Sequence, residues 1–420
     1  MGVITDLRWS KKPGEAAHPR VEKVGDLWKV RSLEAARQVL RARHATTQAG
    51  FTAEAIPQGF LKNHPILFSD GPLHDEQRSK VARFFAPKVV SGRYRDLMDA
   101  AAEDVLADAE AVKTFDLDEL SLYFTVEVTA EVVGLTNSKV RPMSHRLVRF
   151  FNQPAFDITR KDLGRTNRQW IQAALNGLWP VARFWFADVR PAIRARRKVP
   201  QEDVISHLIA EGYTNTDILV EATTYGTAGM VTTREYICMA AWHLLRHDEL
   251  RACYLVANEK ERHAILHEII RLEPVVGHIY RRAQDDIEIT DGEDSWTIHA
   301  GDLIDLYIRH ANADPEAVGS EPLNLCPGRE LPRAVNETVL SFGDGAHKCP
   351  GQHLAISESD ALLRRLLARD VSIVSEPTMG WDELISGYML RGFTLRLGSG
   401  QWAGSAEAPR LDEPSPTPHP

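Results

Sequence analysis

The chain has 420 residues, with 50 Lys and Arg against 58 Asp and Glu, a formal net charge of −8, and 43 % apolar residues. An acidic balance of this kind disfavours a nucleic-acid partner, which asks for a basic surface. No apolar run has the length of a transmembrane span or the form of a secretory signal, so a soluble, cytoplasmic protein is expected. The four cysteines, Cys238, Cys253, Cys326 and Cys349, show no C-x-x-C spacing, which argues against zinc and against a disulfide framework. Cys238 reads as a core residue.

Residues 1–20 read as an N-terminal extension, ahead of a short alternating strand at Leu27-Trp28-Lys29-Val30. In Asp70-Gly71-Pro72-Leu73-His74-Asp75-Glu76-Gln77-Arg78, His74 and Arg78 are four apart, so on a helix they face the same way and together suit a pair of carboxylates. Helical periodicity follows at 103–109. The apolar Phe150-Phe151 and Phe156 read either as a mobile cover or as an ordinary helix contact.

One long helix is predicted from Thr216 to about His247. At ~1.5 Å per residue it spans close to ~50 Å, comparable with the diameter of a compact chain of this length. Its centre, Ala222-Thr223-Thr224-Tyr225-Gly226-Thr227-Ala228-Gly229-Met230-Val231-Thr232-Thr233, carries no charge. Glycine weakens a helix, and threonine hydroxyls bond back to carbonyls one turn earlier. A helix weakened at its centre points to close approach by a ligand.

Glu268 and Arg271 form an i,i+3 pair on the apolar helix that stops before Pro274. Tyr280-Arg281-Arg282-Ala283 follows, then a short strand at Ile287-Glu288-Ile289, then Cys326-Pro327-Gly328-Arg329. Helical periodicity returns at 359–367, and Phe393–Leu397 alternates as a strand. The composition from 405 onward, rich in Pro, Glu and Ser, predicts a disordered tail over 401–420. No linker, charge block or repeat divides the chain, so a single domain over 21–400 is expected. The class is α+β: mainly α with small β-sheets.

Ser341-Phe342-Gly343-Asp344-Gly345-Ala346-His347-Lys348-Cys349-Pro350-Gly351 carries the strongest signal. Its lone cysteine, preceded by two glycines and a histidine and followed by a helix, has what a haem-iron thiolate needs. Gly343 and Gly345 would let backbone N–H groups turn toward the sulfur, and Pro350 fits the first helical position, so the helix N-terminus would face the thiolate. The spelling Phe-Gly-x-Gly-x-His-x-Cys-x-Gly resembles the signature of the cytochrome P450 family.

That resemblance covers about 20–398 and implies the cytochrome P450 fold, with the long central helix as the family's I helix over haem b. It implies a Cys349 thiolate as axial ligand and metal site, with Phe342, Gly343 and Gly351 shaping its loop. His74, Arg78, Arg281 and His347 would hold the propionates, with Arg282 as the register alternative to Arg281. Glu268, Arg271 and Arg329 would form a structural charge cluster. Gly229 would leave room for dioxygen and Thr232 would be the alcohol that relays protons. The family's acid at the fourth position of A/G-G-x-D/E-T-T/S is replaced here by Val231. The pocket is expected to be lined by Tyr225, Gly226, Ala228, Gly229, residues 275–279 with Val276 and His278, Met389-Leu390, and parts of 51–68 and 149–158. Tyr225 and His278 would offer polar contacts.

With about twenty residues ahead of the first strand pair, the resemblance implies that the family's first helix would be shortened or absent. No flavin or iron–sulfur segment is fused, so electrons would come from a ferredoxin and ferredoxin reductase as separate chains. Lys80, Arg83, Lys88, Lys348 and Arg364 either dock such an acidic partner or simply form a solvated face. The implied activity is a monooxygenase acting on a small organic substrate, with a natural-product tailoring hydroxylation as the leading expectation and a monomer as the expected state. Val231 leaves two readings open, a core residue with ordinary chemistry or oxidative C–C, C–N or C–O coupling. A non-catalytic haem sensor is the third.

Overall fold

The computed structural model describes residues 8–10, 15–50, 65–333 and 335–401. Of the expected pocket segments, 51–64 lies outside the described residues, as does the tail beyond 401.

The long helix runs Asn215–Arg246, within one residue of expectation. Thr214 starts it: its hydroxyl accepts from the Asp217 N–H, and the Asp217 carboxylate accepts from the Thr214 N–H, which satisfies orphan donors at the helix end. This central helix packs along the helix Leu117–Val133, and also meets the helix Gln352–Ala368 that follows Cys349. Tyr236, Ile237, Cys238, Met239 and Ala240 are buried in succession, so its C-terminal half forms the middle of the core. Cys238 is a core residue, as expected.

The β structure is confined to small sheets. The largest has five strands in the order Val21–Val24, Leu27–Val30, Leu303–Tyr307, His278–Ala283, Thr46–Gln48. Leu27–Val30 runs parallel to Leu303–Tyr307, with Trp28 opposite Ile304, while the other pairs are antiparallel. The helix Leu33–Arg41, capped by the Ser32 hydroxyl, closes the apolar cluster beneath this sheet. Ile287–Asp291 pairs with Asp294–Ile298 as a hairpin, and Thr394–Gln401 pairs with Arg369–Ser375 and Thr114–Asp116.

No helix among the described residues is long and apolar enough to cross a membrane.

Candidate functional site

Cys349 lies in the turn that precedes Gln352–Ala368. The loop before it is pinned at both ends. Cys349 donates its N–H to the Phe342 carbonyl (2.8 Å), and Gly343 donates to Leu340 (2.8 Å). Gly343 and Gly345 have φ of +70° and +66°. Gly345 is also required by contact, since a Cβ there would stand 2.1 Å from the Leu40 carbonyl oxygen. The Asp344 carboxylate accepts from Gly345 N–H and from the Arg37 and Arg41 guanidinia (2.8, 3.0 and 3.0 Å), which ties the loop to the first helix.

Two expectations about this loop are corrected. The N–H groups that reach the Cys349 sulfur belong to Gly351 and Gln352, at the start of the helix, not to Gly343 or Gly345. Pro350 is not the first helical residue. Gly351 is the N-cap, with its carbonyl accepting from Ala355 N–H (2.8 Å), and the helix starts at Gln352. Turning two successive N–H groups onto the sulfur needs an extra residue between cysteine and cap, and Pro350 fills it. The Cys349 side chain is accessible yet densely surrounded by protein. Burial pushes its thiol up, while the Gly351 N–H, Arg78, Lys348 and the Gln352 N–H act in the opposite direction.

His74, Arg78, Arg281 and His347 converge beside this loop. His74 and Arg78 lie on the helix Gly71–Val81, and the His74 ring is 4.1 Å from that of His347. Arg78 donates to the Lys348 carbonyl (2.6 Å). Arg281 is buried on its strand and donates to Gln48 Oε1 (2.5 Å), whereas Arg282 is turned to Gly301 at the surface. His347 Nε2 lies 2.9 Å from Asp70 Oδ1.

Burial, with His347 and Arg78 nearby, brings His74 down to about 4. Burial likewise depresses His347, and it brings Arg281 down to about 10. At neutral pH the cluster therefore offers two guanidinium cations and two neutral imidazoles. Sequence reasoning missed Asp70 and Gln48. Asp70 sits four residues before His74, within the quoted motif, and that position was the available signal. The donor set fits a group carrying a thiolate-seeking metal and two carboxylates, as haem does.

Glu268 and Arg271 pair through two bonds (2.6 and 3.0 Å). Arg271, fully buried, also donates to the carbonyls of Asn312, Pro322 and Asn324. Arg329 Nε lies 3.6 Å from Glu268, which accepts the Cys326 N–H as well (2.8 Å). The three residues named from the sequence thus meet, and they fix the segment leading toward the cysteine loop.

The accessible face of the central helix carries Ala228, exposed, with Thr232 half-buried one turn on. Thr232 Oγ1 donates to the Ala228 carbonyl (2.7 Å). Gly229 is turned toward the neighbouring helix: a Cβ on it would lie 3.3 Å from Thr129 Oγ1, so close helix packing accounts for this glycine. Val231 is buried, and with Met389, Val148, Phe151, Asn152 and Ile385 it lines a cavity of about 200 Å³ whose remaining wall is charged, formed by Arg234, Glu235, Asp382 and Arg391. One turn beyond it, the buried Glu235 is held by Arg234, Arg391 and the Leu390 N–H (3.0, 2.7 and 2.7 Å).

Of the other expected pocket residues, Val276 is half-buried and bridged to Gly387. His278 is corrected. Its imidazole faces away into a cluster with Asp305 (2.8 Å) and Glu15, where the strand buries it. Tyr225 stacks on Phe85 (5.8 Å between centroids) and its hydroxyl faces Glu221. Glu221, which sequence reasoning passed over, is buried, accepts the Ile66 N–H (3.2 Å), and is pushed up to about 7 by that burial. Among the basic residues considered for docking, Lys80 pairs with Glu76 and Arg364 with Asp99.

Comparison with known proteins points the same way. The sequence profile of the family described as Cytochrome P450 matches residues 263–376. Cytochrome P450 monooxygenase PikC of Streptomyces venezuelae is 26% identical over 411 residues, covering 93% of this chain and 90% of that protein. Erythromycin C-12 hydroxylase of Saccharopolyspora erythraea is 27% identical over 307 residues, 71% of each. The crystal structure of P450BioI in complex with a hexadec-9Z-enoic acid ligated acyl carrier protein superposes with a TM-score of 0.71 at 19% identity, over 88% of this chain and 91% of that one.

Proposed function

This chain belongs to the cytochrome P450 family, and from that premise we propose that it oxidises a small organic substrate by hydroxylation, as a natural-product tailoring enzyme. Electrons would come from a separate ferredoxin and its reductase. PikC, the erythromycin hydroxylase and the hydroxylase HmtN, described from himastatin biosynthesis, support the tailoring reading.

Haem b, when bound, supplies the oxidising chemistry. Cys349 would ligate its iron, with the Gly351 and Gln352 N–H groups stabilising the thiolate. Arg78, Arg281, His74 and His347 would hold the propionates. Phe342, Gly343 and Gly351 keep the cysteine loop in shape. Thr232 holds a hydroxyl proton at the open helix face and, by exchanging its bond to the Ala228 carbonyl, can present that proton to a bound molecule. Ala228, Val276 and Met389 would meet the substrate on its apolar side, and Tyr225 at the edge nearest Arg78.

The observation that carries the hydroxylation reading is Thr232, a half-buried alcohol that donates to the carbonyl of the exposed Ala228 one turn earlier. Its test is a titration of the ferric protein with cyclic dipeptides, phenols, terpenoids and macrolactones, watching the Soret band. A blue shift with one class names the substrate chemistry, and labelled dioxygen then has to appear in its product.

Oxidative coupling is the second reading, and Val231 favours it. The nearest carboxylate along that face, Glu235, is fully engaged by two arginines and an N–H, so it is no free acid for proton delivery. A coupled product that carries no label would decide for this reading.

A further inference from the structure

The charge of this chain is unevenly placed. Between Lys139 and Lys198 it has 14 Lys and Arg against 3 Asp and Glu, while the remaining residues have 36 against 55. Within this basic stretch run the helix Asn167–Phe184, a five-residue π-type turn, Trp185–Val189, and the helix Arg190–Lys198. Pro180 and Phe184 face inward. On the opposite side Ile171, Leu175, Leu178, Trp179 and Phe186 are each 63–66% exposed.

The spacing of Ile171, Leu175, Leu178 and Trp179, at three, four, seven and eight residues, puts these four on one stripe of the helix, and Phe186 follows in the turn beyond it. A contiguous apolar stripe left in water marks an interaction site. Arg168, Arg183 and Arg194 are exposed around it and, among the described residues, have no ion-pair partner. The single acid between 167 and 198, Asp188, is buried and bound by Arg146 (2.6 Å). The outer face is therefore apolar at its middle, cationic at its margins and free of carboxylate.

Two features select the occupant. The four cations within 168–194, Arg168, Arg183, Arg190 and Arg194, are all arginine, whose planar fork binds carboxylates in pairs, and Trp with Arg is the combination enriched in protein interfaces, where Lys is depleted. A lipid surface would take lysine equally well. The second feature is position. Asn176 donates from this helix to the Asn152 carbonyl (2.6 Å), and Phe184 meets Phe150 edge-on, so the helix roofs the segment whose Phe151 and Asn152 line the cavity beside Val231.

We propose that the outer face of residues 168–194 is the docking surface for an acidic carrier protein, one that presents carboxylates around an apolar patch and delivers a tethered substrate to the cavity below. The inference rests on the reading of that cavity as the substrate site.

The experiment uses the holoenzyme and a purified holo-acyl carrier protein, a small acidic helical protein with a phosphopantetheine arm, as the probe. Calorimetric titration compares the native enzyme with L175E/W179E, whose changes lie in solvent, and with R183E/R194E. The native enzyme binds the probe, with an affinity that falls as salt rises, and each double variant weakens binding at least tenfold. The Soret response of both variants to free small molecules stays as in the native enzyme, which separates this surface from the substrate site itself.

Three results would overturn the proposal: no binding of the probe to the native enzyme; binding unchanged in both variants; or loss in the variants only of binding to anionic phosphatidylglycerol vesicles or of self-association in sedimentation, which would assign the face to lipid or to a second copy. A native enzyme that binds the probe but shows no Soret response to any small molecule would leave the docking surface standing and remove the reading of the cavity.

Discussion

Arg78 donates its Nη2 hydrogen to the Lys348 carbonyl at 2.6 Å, across 270 positions of sequence. One guanidinium thus joins the helix that presents His74 to the residue immediately before the cysteine. Replacing Arg78 by Ala leaves that carbonyl without its donor, at a cost of about 1–3 kcal/mol. Arg78→Lys keeps the charge but loses the planar fork. We expect the Ala variant to purify with markedly less haem, read from the Soret-to-protein absorbance ratio, and Lys to fall between Ala and native. Equal haem content in all three would remove Arg78 from the site.

The two loop glycines differ in a way that predicts different outcomes. A Cβ at Gly343 finds its nearest neighbour at 3.8 Å, so Gly343→Ala carries only the left-handed backbone penalty, about 1–2 kcal/mol. At Gly345 the same change meets the Leu40 carbonyl at 2.1 Å and forces the loop off the first helix. Gly345→Ala is expected to lose the red-shifted Soret band of the reduced, carbon-monoxide-bound form, while Gly343→Ala retains it.

Removing one charge from the Glu268–Arg271–Arg329 cluster strands another. Glu268→Ala leaves Arg271 buried with its carboxylate gone, which costs about 3–5 kcal/mol. Glu268→Gln keeps the shape and the acceptor, so its loss is smaller. Urea denaturation of the two variants should rank them in that order, and an Ala variant as stable as native would contradict the cluster's structural role.

Glu221 gives a pH signature. In the folded chain its carboxyl is pushed up to about 7 by burial, from an ordinary value near 4.5. Between those values the native state holds a proton that the unfolded chain releases. Its contribution to stability is full below about 4.5 and is lost as pH rises to about 7, roughly 3 kcal/mol at most. His74, down to about 4, acts with the opposite sign as its stability gain builds from pH 4 to 6.5. The comparison with Glu221→Gln isolates the first effect: native minus variant stability should fall across pH 4.5–7, and a flat difference would contradict the buried acid.

The parts of the site that were legible in the sequence are those whose spacing is itself the geometry. Glu268 and Arg271 meet because three residues make a helical turn, and the cysteine loop keeps its glycines because φ at 343 and 345 is positive. What the sequence hid depends on direction and on neighbours. His278 has the right place along its strand, but Asp305 and Glu15 take its ring. Gly229 has the expected position, yet its open side meets Thr129 on another helix. Gln48 joins Arg281 only because two distant strands pair, and no local pattern announces that.

The cysteine loop also fixes an order of assembly. Gly345 rests on the backbone of Leu40, and Asp344 is gripped by Arg37 from 307 residues earlier. During synthesis the first helix leaves the ribosome long before its counterpart exists, and the ligand loop, made about 300 residues later, has to find it by diffusion. The site therefore forms only after the loop has been synthesised and has met the first helix, which makes cofactor capture a late event relative to the folding of that helix. Expression at slower growth, with haem precursor supplied after rather than during the main burst of synthesis, is where the yield of loaded enzyme should be won.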